Sequence, residues 1–158
     1  MSRYLRFLMP SIMAVFSAHT FAHQPIVTVE GAALQPVTTA VSNIIASDPS
    51  FAELKELNCK LVGQPVRLSD TPEQLGLFVT TGNACGWGAA LAPIWIVLNA
   101  STGERMVLSA GGYSFTTQDQ ISHDHFDISI DGGSARAVEV SLYRFDGKRY
   151  GLIKRFEK

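Results

Sequence analysis

Ile94-Trp95-Ile96-Val97-Leu98, then Asn99-Ala100-Ser101-Thr102-Gly103, then Arg105–Ser109, is the stretch that decides the fold. Five apolar residues in a row, without polar alternation, predict a strand buried on both faces. The five residues after it are turn formers, and Arg105–Ser109 returns. Together they predict a β-hairpin.

Outward from this hairpin the pattern stays extended. Downstream, Gly111-Gly112 predicts a turn, and Tyr113–Thr117 alternates aromatic with polar residues. Phe126-Asp127-Ile128-Ser129-Ile130 alternates cleanly, with Phe126, Ile128 and Ile130 expected inward. Asp131-Gly132-Gly133 predicts another turn. Val138, Val140, Leu142 and Arg144 share one face of the next strand. Asp146-Gly147 predicts a two-residue hairpin turn, because both residues tolerate positive φ, and Tyr150–Phe156 returns. Upstream, Lys60–Leu68 and Leu77–Thr81 read as strands, and Ile26, Val27 and Val29 form a short extended entry.

The signal before Lys60 is helical. Val37, Val41, Ile44 and Ile45 recur at helical spacing, with Pro36 expected in the first turn. Asp48 is expected to cap a second helix that opens on Pro49 and buries Phe51, Leu54 and Leu57. Asn58 is the expected stop. Two helices followed by about seven short antiparallel strands, without alternation, predict an α+β fold. The expected architecture is an N-terminal helical pair packed on a curved antiparallel meander sheet or open barrel.

The ends bound the compartment. Arg3 and Arg6 precede the mostly apolar run Phe7–Phe16, and Thr20-Phe21-Ala22 supplies small residues for cleavage after Ala22. Residues 1–22 are therefore expected to be a cleaved secretory leader, and 23–158 a single domain, periplasmic or secreted. The apolar run is too short for a bilayer of roughly 30 Å, which needs about 20 residues. The leader holds two arginines and no acid, so the remainder has eleven basic and fourteen acidic residues. That balance excludes a polycation and gives no footprint for nucleic acid or an anionic membrane. No second segment is long enough to span a membrane.

Cys59 and Cys85 are the two cysteines of the chain. In an oxidising compartment they are expected to pair. A loop of about 27 residues closed in this way contributes roughly 3.5 kcal/mol on the chain-entropy model. The alternative is a free, reactive Cys85. Cys85-Gly86-Trp87-Gly88 superficially resembles the nucleophile segment of papain-like amidases, with His123 or His125 as base, which would make the chain a small cysteine hydrolase. Gly86, Gly88, Pro93 and the β-branched run after them oppose the helix N-terminus that such a thiolate needs.

Two further constellations stand out. On an extended chain His123 and His125 project to the same side, so together they make a candidate metal pair, although spacing supplies no third ligand. The competing reading is a polar hairpin loop, or a pH-sensitive contact. The C-terminal hairpin carries Tyr143, Arg144, Lys148, Arg149 and Tyr150; these, with Trp87 in its glycine-rich loop, form the candidate partner-binding face, since arginines and aromatics dominate interface hot spots. The competing reading there is an edge hairpin kept soluble by charge. No Gly-x-Ser-x-Gly, P-loop or dinucleotide fingerprint occurs, and no cofactor is expected.

Asn83-Ala84-Cys85-Gly86-Trp87-Gly88-Ala89-Ala90, Pro93-Ile94-Trp95-Ile96-Val97, Ser109-Ala110-Gly111-Gly112-Tyr113, Asp127-Ile128 and Tyr143-Arg144-Phe145-Asp146-Gly147-Lys148-Arg149-Tyr150 follow one another in an order that resembles uncharacterised secreted bacterial β-rich proteins. A looser similarity, by residue type, is to small periplasmic lysozyme inhibitors. The first resemblance implies no activity. Size, cysteines and the lack of catalytic motifs favour a non-enzymatic inhibitor or immunity-type protein whose partner is another envelope or secreted protein. The alternatives are the Cys85 hydrolase and a metal- or ligand-binding envelope module.

Overall fold

A computed structural model describes residues 26–71, 74–88, 91–100, 103–134 and 137–158. The expected leader, Met1–Ala22, lies outside the described residues. The chain is mostly β: two five-stranded antiparallel sheets with two short helices. That agrees with the α+β class at this level. The strands divide between two packed sheets, instead of the single curved sheet or barrel of the sequence expectation.

The elements run β1 (Val27–Thr28), β2 (Gln35–Pro36), α1 (Thr39–Ala46), a 3₁₀ turn (Pro49–Phe51), α2 (Ala52–Glu56), β3 (Leu61–Arg67), β4 (Leu75–Thr81), β5 (Ala92–Ala100), β6 (Gly103–Gly112), β7 (Ser114–Ser122), β8 (His125–Ser134), β9 (Ala137–Phe145) and β10 (Tyr150–Glu157). One sheet has the order β2-β3-β4-β5-β6 and the other β1-β7-β8-β9-β10. Apart from the pairing of β1 with β7, every hydrogen-bonded strand pair joins strands consecutive in sequence.

β5 shows why its sequence is almost wholly apolar. Ile94, Ile96 and Leu98 point between the sheets, where with Phe78 they meet Phe115, Ile128, Ile130, Tyr143 and Phe145. Trp95 and Val97 point the other way and, with Val79, meet Val41, Ile45, Phe51 and Leu54 of the helical segment. Water is excluded from both faces, so a polar residue at either parity would lose its hydration. Trp95 is fully buried, meets Phe51 edge-on at 5.8 Å between ring centroids, and donates from Nε1 to Ser50 Oγ at 3.2 Å.

The helical segment departs from expectation at both ends. Pro36 is exposed in β2, paired with Val62, and α1 begins three residues later. Its cap is Thr38, whose hydroxyl accepts from the Val41 amide at 3.2 Å. Asp48 caps the following turn through Ser50 N–H, with Pro49 first, as expected. Leu57, expected buried, is 62% exposed. The helix has ended by then, and Asn58 at φ 55° turns the chain so that Cys59 is buried in its place. Cys59 is bonded to Cys85, which lies just beyond β4.

Three turns also differ. Asp131-Gly132-Gly133 lies within β8, paired with β9, and Gly111-Gly112 lies within β6. Pairing of the first hairpin continues to Ala100↔Gly103, beyond which Ser101 and Thr102 are outside the described residues. The true corner between the sheets is Tyr113, whose N–H donates to the Asp131 carbonyl at 2.7 Å. There the sheets approach so closely that a Cβ on Gly112 would overlap Ile130.

Candidate binding surface

Along β9 the buried positions are Val140, Ser141, Tyr143 and Phe145. Tyr143 and Phe145 are the residues that point into the core between the sheets, whereas Val138 and Arg144 are exposed. Tyr150, opposite Phe145 in the register, is buried too and packs against its ring at 5.1 Å. Its hydroxyl donates to the Phe126 carbonyl at 3.0 Å. Burial, and then the charge of Asp127, push the Tyr150 phenol up. Tyr143 and Tyr150 therefore belong to the core and are withdrawn from the expected partner-binding face.

Arg144 is held by Asp127 of β8. The guanidinium donates from Nη2 to Oδ2 at 2.9 Å and from Nε at 3.1 Å. The Asp127 side chain is 2% exposed, and Ser122 Oγ donates to its Oδ1 at 3.0 Å. A buried carboxylate needs such donors. Asp127 is a functional-looking residue that alternation alone assigns to a solvated face, and no local sequence signal marks its burial.

The turn that presents Lys148 and Arg149 has four residues, Asp146–Arg149, since Phe145 already pairs with Tyr150. The Asp146 carboxylate accepts from the Arg149 and Lys148 amides, both at 2.8 Å, and these two bonds hold it below the usual carboxylate range. Arg105 of β6 donates to the Lys148 carbonyl and its guanidinium lies over the Phe145 ring at 5.8 Å. β10 then runs as an outer strand, hydrogen-bonded to β9 alone. Every residue of it after Tyr150 is exposed, including Leu152, Ile153 and Phe156. Ile153 sits at a bulge, where the register with β9 slips. Arg155 pairs with Glu139 at 3.2 Å and Lys158 with Asp131 at 3.3 Å. Lys148, Arg149 and Lys154 have no acidic side chain within ion-pair distance among the described residues.

Trp87 is not on this hairpin. It is half-buried against the core between the sheets, and its Nε1 donates to Thr81 Oγ1 at 2.8 Å. His123 and Asp124 form the two-residue β7–β8 turn, both with positive φ (50° and 62°). His123 leaves extended geometry, and each imidazole spends its Nδ1 on a backbone carbonyl. His123 Nδ1 donates to the Phe145 carbonyl at 3.1 Å; His125 is buried, stacked on Phe145 at 4.2 Å, and donates from Nδ1 to the His123 carbonyl at 2.9 Å. Among the described residues no group of three or more His, Cys, Asp or Glu is placed to hold a metal ion.

Cys85 and the histidines lie in different layers. The Cys85 sulfur is bonded to Cys59 and packs with the cluster under the helices, while His125 stacks on Phe145 on the other side of that sheet. The sulfur has no thiolate to offer an imidazole.

No family model, curated protein or solved structure matches this chain. Function rests on the geometry.

Two open cavities lie along β6. One, of about 440 Å³, lies between the helical segment and Ser109–Gly111. The other, of about 400 Å³, lies between Met106–Ser109 of β6 and Arg149–Gly151 at the start of β10. Among the described residues no helix is long and apolar enough to cross a membrane.

Proposed function

We propose that this chain is an exported, non-catalytic binding protein, periplasmic or secreted, that acts on another envelope protein as an inhibitor or immunity-type factor. The observation that carries this reading is the outer strand β10 with its turn. Three cations that make no ion pair among the described residues stand there beside three exposed apolar side chains, on a hairpin whose aromatic residues anchor it in the core. Rigid cation-rich edges of this kind suit protein recognition. The Cys59–Cys85 bond supports the same reading in two ways: it fits an oxidising compartment, and it occupies the sulfur that a thiol hydrolase would use.

The test is capture with cross-linking from envelope extract, using the folded, oxidised protein and its Lys148→Glu/Arg149→Glu variant. One envelope protein is expected to be enriched by the parent and reduced at least tenfold by the variant. Adding the parent protein to that partner is expected to lower its activity. Equal capture by both proteins, or capture by neither, overturns the reading.

A further inference from the structure

We propose that the open seam between the free edges of β6 and β10 is a docking site for an extended, acidic segment of a partner protein, which would add as a strand. This rests on the binding reading above and specifies its mode.

Three observations converge on the seam. First, β6 and β10 each end a sheet: β6 bonds only to β5, and β10 only to β9. The outer side of each strand therefore presents peptide groups unclaimed by a sheet partner, the template that strand addition uses. Second, the two edges do not close on each other. They approach where Arg105 donates to the Lys148 carbonyl, and next to that contact the cavity of about 400 Å³ separates Met106–Ser109 from Arg149–Gly151. Third, the charge along the seam is unbalanced. Lys148, Arg149 and Lys154 make no ion pair among the described residues, although Asp146 attracts Arg149 at longer range, whereas the neighbouring Arg144, Arg155 and Lys158 each make one. Asp48, the acid that lines this cavity, already has its Oδ1 engaged by the amide and hydroxyl of Ser50.

Charge complementarity selects an acidic occupant. The edges and the exposed Leu152 and Ile153 select a polypeptide over a generic polyanion, since only a strand satisfies backbone donors and acceptors while placing alternate side chains on apolar neighbours.

The probe is a fluorescein-labelled ten-residue peptide of alternating valine and glutamate, with a valine–lysine peptide as control, titrated into the oxidised protein. The acidic peptide is expected to bind at least tenfold more tightly than the control. Binding is expected to shift the amide resonances of Met106–Ser109 and Gly151–Lys154, and to weaken at least tenfold in Lys148→Glu/Arg149→Glu/Lys154→Glu. Ile153→Pro removes one β10 amide at a position with no residue opposite it on β9, without changing charge. It is expected to weaken binding at least fivefold while the thermal midpoint stays near the parent's. Equal binding of the two peptides overturns the proposal, as do shifts confined to other strands, or loss in the charge variant with none in Ile153→Pro, which would mean attraction to any polyanion. If the peptide fails while the envelope partner is still captured by the parent and lost by the charge variant, the docking mode falls and the binding function stands. If that capture fails too, both fall.

Discussion

Asp127 is the residue whose environment is least ordinary. Its carboxylate is buried, and its ligands are one half-exposed guanidinium and one hydroxyl. Deleting it leaves the part-buried Ser122 hydroxyl without its acceptor and frees Arg144 from β8. Asp127→Ala is expected to lower stability by about 2 kcal/mol, the range for an emptied buried polar site. Asp127→Asn is expected to cost less, because an amide oxygen still accepts from Ser122. Urea unfolding at neutral pH reads both; equal losses would show that the Ser122 hydrogen bond is not recovered by an amide, and an unchanged midpoint for Asp127→Ala would show that the buried carboxylate contributes nothing. Nothing local in Phe126-Asp127-Ile128 announces this. Alternation places Asp127 opposite the core-facing isoleucines, which is correct, but whether that outer face is wet depends on Arg144, seventeen residues later. Cys59 and Cys85 were readable in advance because two thiols in one chain leave a single pairing to propose.

At the scale of elements, the β9–β10 turn depends on one carboxylate. The Arg149 and Lys148 amides lower the Asp146 pKa below its ordinary 3.8. A folded pKa lower than the unfolded one means that the turn's contribution is whole above the ordinary value and is lost as pH falls through the folded one. The Lys148 and Arg149 amide resonances are therefore expected to hold steady from neutral pH down to about pH 4, the ordinary carboxylate region, and to move together only below it. Movement well above that region would instead mean that another group holds the turn. Strand positions were legible wherever one face or both were uniformly apolar, as in β5. β9 is less legible because both of its parities carry apolar residues: Val138, Val140 and Leu142 on one, Tyr143 and Phe145 on the other. The choice is made by β8, whose Ile128, already committed to the core, stands opposite Tyr143 in the register. The seam was invisible for a related reason. Which strands end a sheet is a property of topology, and neither β6 nor β10 carries a local mark of it.

For the whole molecule, the disulfide ties the end of the helical cover to the loop after β4, so it joins two of the three layers. Cys59→Ala/Cys85→Ala is expected to lose about 3.5 kcal/mol, the chain-entropy value for a loop of this size, and the oxidised parent treated with reductant should approach the same midpoint. A loss under 1 kcal/mol would mean that packing around Val41, Ile45 and Trp95 holds the cover unaided. The layering also sets an order of events. The long strands meet partners that are next in line, so each hairpin can close as soon as its second half exists. β1 is the exception: Val27 lies opposite Phe115, on a strand made eighty-eight positions later. During N-to-C synthesis or export, the stretch around Val27 must stay loose while nearly everything between is assembling, and it is stitched on among the last. Events there report completion of the fold, and a chain halted before Phe115 would leave that stretch open to chaperones and proteases.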